Sequence, residues 1–267
     1  MKKIILIWDF DGAIGQINSS FPYNFNFSNL ETEINNVRCS LDILDKYKIK
    51  CCFAITGFSA EEGIYPYSFP ELIKEISDRG HEIASHSWKH EWSSIFQKKQ
   101  IEKSLIRSKH ILEHTTGSSV IGFVPPHNRP MTWLRKGAFS LGDRGIYPLF
   151  KMADNKNIIE LLMKTNYKWI RISYSNIFHK LKLSKKNITG KIYNHKNILI
   201  LENHYTGFDK TVVDHILKTN HKTYTISAHP LMLSFENKTE SLKNFEVFLE
   251  TLSSEKNITF IRPCDLL

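Results

Sequence analysis

The sequence predicts an α/β fold. Short apolar runs of β character alternate along its 267 residues with segments whose apolar side chains recur at helical spacing, the pattern of strands joined by helices over one sheet. Four of the β-like runs end in polar, chemically capable residues, as strands do where a barrel of parallel strands builds a site at its C-terminal face. No linker, internal repeat or long Pro/Gly-rich stretch divides the chain, so residues 1–267 are expected to form a single domain.

The elements follow in order. Ile4-Ile5-Leu6-Ile7-Trp8 is a buried-strand pattern that stops at Asp9-Phe10-Asp11-Gly12. Residues 13–29, rich in Asn, Ser and aromatics and without clear periodicity, read either as a loop beside the site or as an inert surface insertion. Ile34, Val37, Leu41 and Leu44 share one helical face, and residues 50–56 follow as a strand. Ser68 and Glu71 have the spacing of a capping box, opening a helix whose apolar stripe is Leu72, Ile73 and Ile76 and whose stop is Gly80. A third strand then leads into His86 and His90. Residues 97–114 form a helix ending near Gly117, and residues 119–124 a strand running into Pro125-Pro126. Residues 131–139 are weakly helical, 158–164 more clearly so, and 168–173 read as a strand. Strands at 198–202 and 223–228 flank a helix at 212–217, the second of them ending in His229-Pro230. Leu242, Phe245, Leu249 and Leu252 mark the last helix and residues 258–261 the last strand.

His86 and His90 read as a metal site, since residues four apart share a face on a helix and also on a strand. Spacing alone is weak evidence in a chain with 12 histidines. His110 and His114 have the same spacing but lie opposite the apolar face of Ile101, Leu105 and Leu112, which makes them a solvated face. What separates the first pair is the company of the other polar strand ends.

Composition narrows the function class. The formal charge of +9 is spread along the chain rather than clustered, which argues against nucleic acid; an anionic small substrate, an acidic membrane surface or plain solubility uses the same charge. The four cysteines have no metal or redox spacing and read as buried thiols. The apolar run after Lys2-Lys3 is too short for a signal peptide, and no stretch approaches a membrane span, so a cytoplasmic protein with at most peripheral membrane contact is expected. No nucleotide-cofactor motif follows any strand.

Asp9-Phe10-Asp11-Gly12, Arg79-Gly80-His81-Glu82-Ile83 leading to His86-Ser87-Trp88-Lys89-His90, Phe123-Val124-Pro125-Pro126 and Ser227-Ala228-His229-Pro230 together resemble the ordered motifs of the polysaccharide deacetylase (NodB-homology, carbohydrate esterase family 4) superfamily. The resemblance implies a distorted (β/α)7-8 barrel and a metal-dependent hydrolase that removes an N-acyl group from an amino sugar. It implies Asp11, His86 and His90 as ligands of one divalent metal, zinc first, with cobalt, nickel, iron or manganese as alternatives. Two histidines and a carboxylate with an open position suit a catalytic ion that activates water and polarises a carbonyl. Aligned on Gly12, Asp9 takes the general base's place, with a structural role as the alternative, and His229 that of the acid protonating the leaving amine.

The third motif departs from the family pattern. Val124 stands where an arginine usually pairs with the base, and Arg129 is the nearest replacement. Pro125 and Pro126 have no N–H for an oxyanion hole, so His127 is the first candidate donor, with Asn128 a candidate substrate contact. Trp88, Trp92 and Tyr205 offer flat faces to a sugar ring, and core packing explains each equally well. The implied substrate is an N-acetylated sugar, free, nucleotide-linked or lipid-linked, in bacterial surface polysaccharide or lipopolysaccharide synthesis. The alternatives are a linear amidase acting on a non-sugar substrate and an inactive member that binds a glycan or a protein partner.

Overall fold

The structure, a computed structural model, describes residues 1–19, 26–61, 68–91, 97–126, 155–172, 191–236 and 239–267. Its strands are β1 (Lys2–Phe10), β2 (Cys52–Ile55), β3 (Glu82–Ser85), β4 (Gly122–Phe123), β5 (Trp169–Ile172), β6 (Ile192–His195), β7 (Ile198–Glu202), β8 (Tyr205–Thr206), β9 (Thr223–Ala228) and β10 (Ile258–Ile261). They form one sheet in the order β6-β7-β5-β4-β3-β2-β1-β9-β8, parallel throughout except for the β6–β7 hairpin. The strand β1 is long enough to hold two partners end to end along one edge. Lys2 to Ile5 pair with β10, and Ile7 to Phe10 pair with β2.

Side-chain alternation along β1 divides the core in two. Ile4, Leu6, Trp8 and Phe10 face the helices, whereas Ile5 and Ile7 face inward with Cys52, Ala54, Ala84, Val124, Trp169, Leu199 and Leu201. Gly122 belongs to this inner packing, because a Cβ there would meet the Trp169 ring at 2.0 Å. The sheet is strongly curled. In a flat sheet β5 and β1, four strand spacings apart, would lie roughly 19 Å from each other. Instead the Arg171 guanidinium of β5 touches Asp9 of β1 at 2.7 Å. Among the described residues no pairing joins β6 to β8, so the curl is that of an incompletely closed barrel.

The helices α1 (Gly12–Asn18), α2 (Ser28–Lys46), α3 (Gly57–Glu61), α4 (Phe69–Asp78), α5 (Lys98–Thr116), α6 (Asn155–Lys164), α7 (Lys210–Lys218) and α8 (Leu242–Ser253) connect the strands. The expected apolar faces are the ones buried: Ile34, Val37, Leu41 and Leu44 in α2, Leu72, Ile73 and Ile76 in α4, Phe245, Leu249 and Leu252 in α8. Gly117 ends α5 in the left-handed conformation, and His110 and His114 are exposed, as the sequence suggests.

Other expectations are corrected. The segment after Gly12 begins as a helix, α1, rather than a loop. Ser68 is the N-cap of α4 but makes no capping hydrogen bond; the capping box forms instead between Gln97 and Gln100 of α5. The strand read at 119–124 is only Gly122–Phe123, and β6 and β8 were not foreseen. The weak helix at 131–139 lies outside the described residues.

Candidate metal centre

The C-terminal ends of β1, β3 and β9 meet at one place. Asp11 follows β1, held by Thr56, whose Oγ1 donates to the Asp11 carbonyl at 2.8 Å. His86 follows β3, and its Nδ1 lies 2.7 Å from the Val124 carbonyl. A carbonyl offers only lone pairs, so Nδ1 carries a proton and Nε2 is the ring nitrogen left to face Asp11.

His90 arrives by a turn rather than along a helix or strand face. Ser87 and His90 both take left-handed backbone, with φ of 66° and 58°, a conformation uncommon outside glycine. Several hydrogen bonds hold the turn. Gly57 and Phe58 donate backbone N–H groups to the Ser87 and Trp88 carbonyls, Ser108 Oγ donates to the Ser87 carbonyl, Trp88 N–H donates to Ser104 Oγ, and Glu91 N–H donates to Ser87 Oγ.

The result is a compact donor set. Asp11 Oδ1 stands 3.4 Å from His86 Nε2 and 3.5 Å from His90 Nε2. Ligands at 2.0–2.1 Å from a tetrahedral ion are about 3.3 Å apart. Asp11 Oδ1, buried and without a hydrogen-bond partner among the described residues, therefore faces both ring nitrogens at a separation that a shared cation explains. Burial alone would raise the Asp11 carboxyl, but His90 and His86 outweigh it and hold it well below the carboxylate range. Among the described residues this is the single group of three or more potential ligands so arranged.

A second cluster lies beside the first. Asp9 is buried and its Oδ2 accepts from Arg171 at 2.7 Å, while Oδ1, also buried, has no hydrogen-bond partner among the described residues. Burial opposes the charge on Asp9; Arg171, His86 and His229 outweigh it and keep the carboxyl lowered. His229 Nε2 is 3.7 Å from Asp9 Oδ2, and on the other side its Nδ1 is 3.0 Å from Glu240 Oε2, which also accepts the His229 backbone N–H. Burial disfavours the imidazolium, but Glu240, Asp9 and Asp11 hold it up to about 9.

The structure thus brings together Asp9, Asp11, His86, His90 and His229. His127, Asn128, Arg129 and Trp92 lie outside the described residues. Trp88 is corrected: it is 5% exposed, with the Arg107 guanidinium 3.8 Å over its ring and Phe58 packed edge-on, so neither face is offered to a sugar. Tyr205 is likewise buried, against the His215 ring. Sequence reasoning missed Arg171 and Glu240. For Arg171 a signal existed, an arginine amid Trp169, Ile170 and Ile172 in a strand, where burial requires a partner. For Glu240 there was none.

Comparison with known proteins bears on the same residues. A family model described as polysaccharide deacetylase matches residues 33–144, a stretch that includes His86 and His90 but not Asp9, Asp11 or His229. A peptidoglycan deacetylase of Helicobacter pylori is 31% identical over 86 residues, 32% of this chain and 27% of that protein. The chain therefore spans well under half of this curated relative. Two solved structures share the fold. One is a candidate polysaccharide deacetylase from Mycobacterium smegmatis, with a TM-score of 0.69 at 14% identity, covering 99% of this chain and 88% of that one. The other is a CE4 family pseudoenzyme from Bacillus anthracis, with a TM-score of 0.55 at 13% identity, covering 99% and 65%.

Proposed function

We propose that the chain, which a polysaccharide deacetylase family model matches over residues 33–144, is a metal-dependent hydrolase of that superfamily that removes an N-acyl group, acetyl first, from an amino sugar. The observation that carries the metal dependence is the meeting of Asp11 Oδ1 and His86 Nε2 at 3.4 Å, with His90 Nε2 completing the set. Bound there, a divalent ion, zinc first, supplies Lewis acidity to the acyl carbonyl and to water.

The chain's own groups divide the proton work. Asp9 is the general base: Arg171 occupies one oxygen and keeps it ionised, and the unpartnered Oδ1 takes the proton from the attacking water. Water adds to the acyl carbon, the C–N bond breaks, and the nitrogen leaves with a proton from His229 Nε2. Glu240 holds the Nδ1–H, so that Nε2 faces Asp9. The products are a carboxylate and a free amine.

The substrate we propose is an N-acetylated sugar, soluble, nucleotide-linked or lipid-linked, in bacterial surface polysaccharide or lipopolysaccharide synthesis. The setting is the reducing cytoplasm, in keeping with four cysteines that all stand as free thiols, and the catalytic domain is a single unit over residues 1–267. No helix among the described residues is long and apolar enough to cross a membrane. An inactive, glycan-binding chain is the competing reading, prompted by the CE4 pseudoenzyme of the same fold. Against it stand the Asp9–Arg171 and His229–Glu240 pairs, which binding alone does not need.

Two measurements test the reading. Metal content by mass spectrometry should be about one equivalent in wild type and absent from H86A/H90A. Amine release should then be followed on N-acetylglucosamine oligomers, UDP-N-acetylglucosamine, peptidoglycan fragments and simple non-sugar amides. Turnover of a sugar substrate that drops in D9N and H229A, with metal retained, is the expected result. Turnover of non-sugar amides alone would replace the sugar by another linear amide, and no turnover with intact glycan binding would favour the inactive reading.

A further inference from the structure

The buried face of α5 holds a residue out of keeping with its neighbours. Ser108 is fully buried between Leu105 and Leu112, in the stripe where an apolar side chain is expected. A hydroxyl withdrawn from water needs partners, and those of Ser108 are on other elements. Its Oγ donates to the Ser87 carbonyl at 3.0 Å and lies 2.8 Å from Oγ of Ser85, the last residue of β3.

The direction of each bond follows from the protons available. A carbonyl only accepts, so the single Ser108 hydroxyl proton goes to Ser87, and Ser85 supplies the proton between the two hydroxyls. Ser85 Oγ in turn accepts the Ser87 backbone N–H at 3.2 Å. The three residues thus close a ring in which each hydroxyl donates once and accepts once, and in which both backbone polar groups of Ser87 are held.

Ser87 is where the chain turns from one histidine towards the other. It follows His86 directly with a φ of 66°, and His90 has a φ of 58°. Left-handed backbone is unfavourable for residues that carry a side chain, so such a turn persists only where its surroundings specify it. The surroundings here are close: a Cβ on Gly57, whose N–H also donates to the Ser87 carbonyl, would meet the Ser108 Cα at 2.6 Å.

We propose that Ser108 is a positioning residue: by closing the ring it fixes the left-handed turn that delivers His90 Nε2 to Asp11, and so strengthens cation binding by Asp11, His86 and His90. The inference rests on the metal-centre reading above. Partners that fix the orientation of metal ligands commonly contribute ten- to a hundredfold in affinity. Ser108 acts on the backbone between two ligands rather than on a ligand side chain, which places its effect at the lower end of that range.

The experiment is competition for zinc between a chelating dye and wild type, S108A, S85A and S40A, with the urea midpoint of each metal-free protein and the visible absorption of each cobalt-loaded protein measured in parallel. S40A is the control, since Ser40 is equally buried but its hydroxyl donates within α2, to the Val37 carbonyl at 2.7 Å. S108A is expected to bind zinc roughly tenfold more weakly than wild type, with its cobalt bands displaced, because a shifted ligand changes the field at the ion. S40A should match wild type in both, whatever stability it loses. S108A binding zinc within twofold of wild type would overturn the proposal, and so would an equal loss of affinity in S40A. If S108A fails to fold, S85A, which opens the same ring from the strand side, decides by the same twofold criterion. Wild type that binds no zinc overturns the metal centre and this inference together, whereas wild type that binds zinc no better than S108A overturns the role of Ser108 alone.

Discussion

At Asp9 a carboxylate and the Arg171 guanidinium are buried together, both essentially without solvent exposure. Taking either charge out of water is expensive, and the pair persists because each partner offsets the other. Removing one is therefore worse than removing both. R171M should destabilise the protein by about 3–5 kcal/mol, whereas D9N/R171M should lie closer to wild type than R171M does; urea denaturation of the four members of the cycle measures the coupling. Glu240 invites a second test. A general acid works only while protonated, and Glu240 is the leading charge that raises His229, with Asp9 and Asp11 adding to it. E240Q lowers the His229 pKa, so the alkaline loss of kcat/KM should begin at a lower pH than in wild type, with metal content unchanged. These two residues also mark where sequence reading stopped. Asp11 and His86 were readable because each follows directly on an apolar strand pattern, and His90 through its spacing from His86. Arg171 stands on a strand 47 positions after Val124 and is brought to the site by the curl of the sheet, and Glu240, which reaches the site through His229, lies in a segment with no periodic signal.

Among the elements, the ones that sequence revealed are those with several apolar side chains at a regular period, such as α2, α4, β1 and β9. The missed ones are short or carry their information in backbone dihedrals. The β6–β7 hairpin shows this. It turns through Lys196 and Asn197 with φ of 49° and 64°, two consecutive left-handed residues of the kind that hairpins usually build from Asn-Gly. Lys-Asn does not advertise such a turn, and β6 itself is partly or fully exposed, with no apolar alternation to betray it. Left-handed backbone costs a side chain-bearing residue roughly 1–2 kcal/mol, less for asparagine. The substitution K196N/N197G should therefore raise the urea midpoint, by on the order of 1 kcal/mol in stability, without affecting metal content. A fall in the midpoint would mean that Lys196 makes a contribution beyond the turn; its nearest carboxylate is Glu160, at 3.9 Å.

In the whole molecule, β1 is the member on which the rest depends. It pairs with β2, β9 and β10, carries both aspartates at its end, and joins the first residues of the chain to the last strand. The alternation of strands and helices was enough to place the chain in the α/β class, but alternation is blind to curl, which the inner packing of Trp169 against Gly122 and the reach of Arg171 to Asp9 produce. The proposed ion would tie the end of β1 to the loop after β3, and these two strands are separated by β2 alone. A ligand that binds only the folded state adds RT ln(1 + [L]/Kd), about 2.7 kcal/mol at a hundredfold excess over Kd. For a chain of this size each kcal/mol moves Tm by roughly 2–4 °C. Zinc at that excess should thus raise the Tm of metal-free protein by on the order of 5–10 °C, chelator should reverse the rise, and H86A/H90A should show neither. Because β1 pairs across the centre of the sheet, the transition should move as one, with near- and far-ultraviolet dichroism shifting together. An increase confined to one probe would mean that the ion stabilises only the loops around it, and an equal increase in H86A/H90A would place the binding elsewhere.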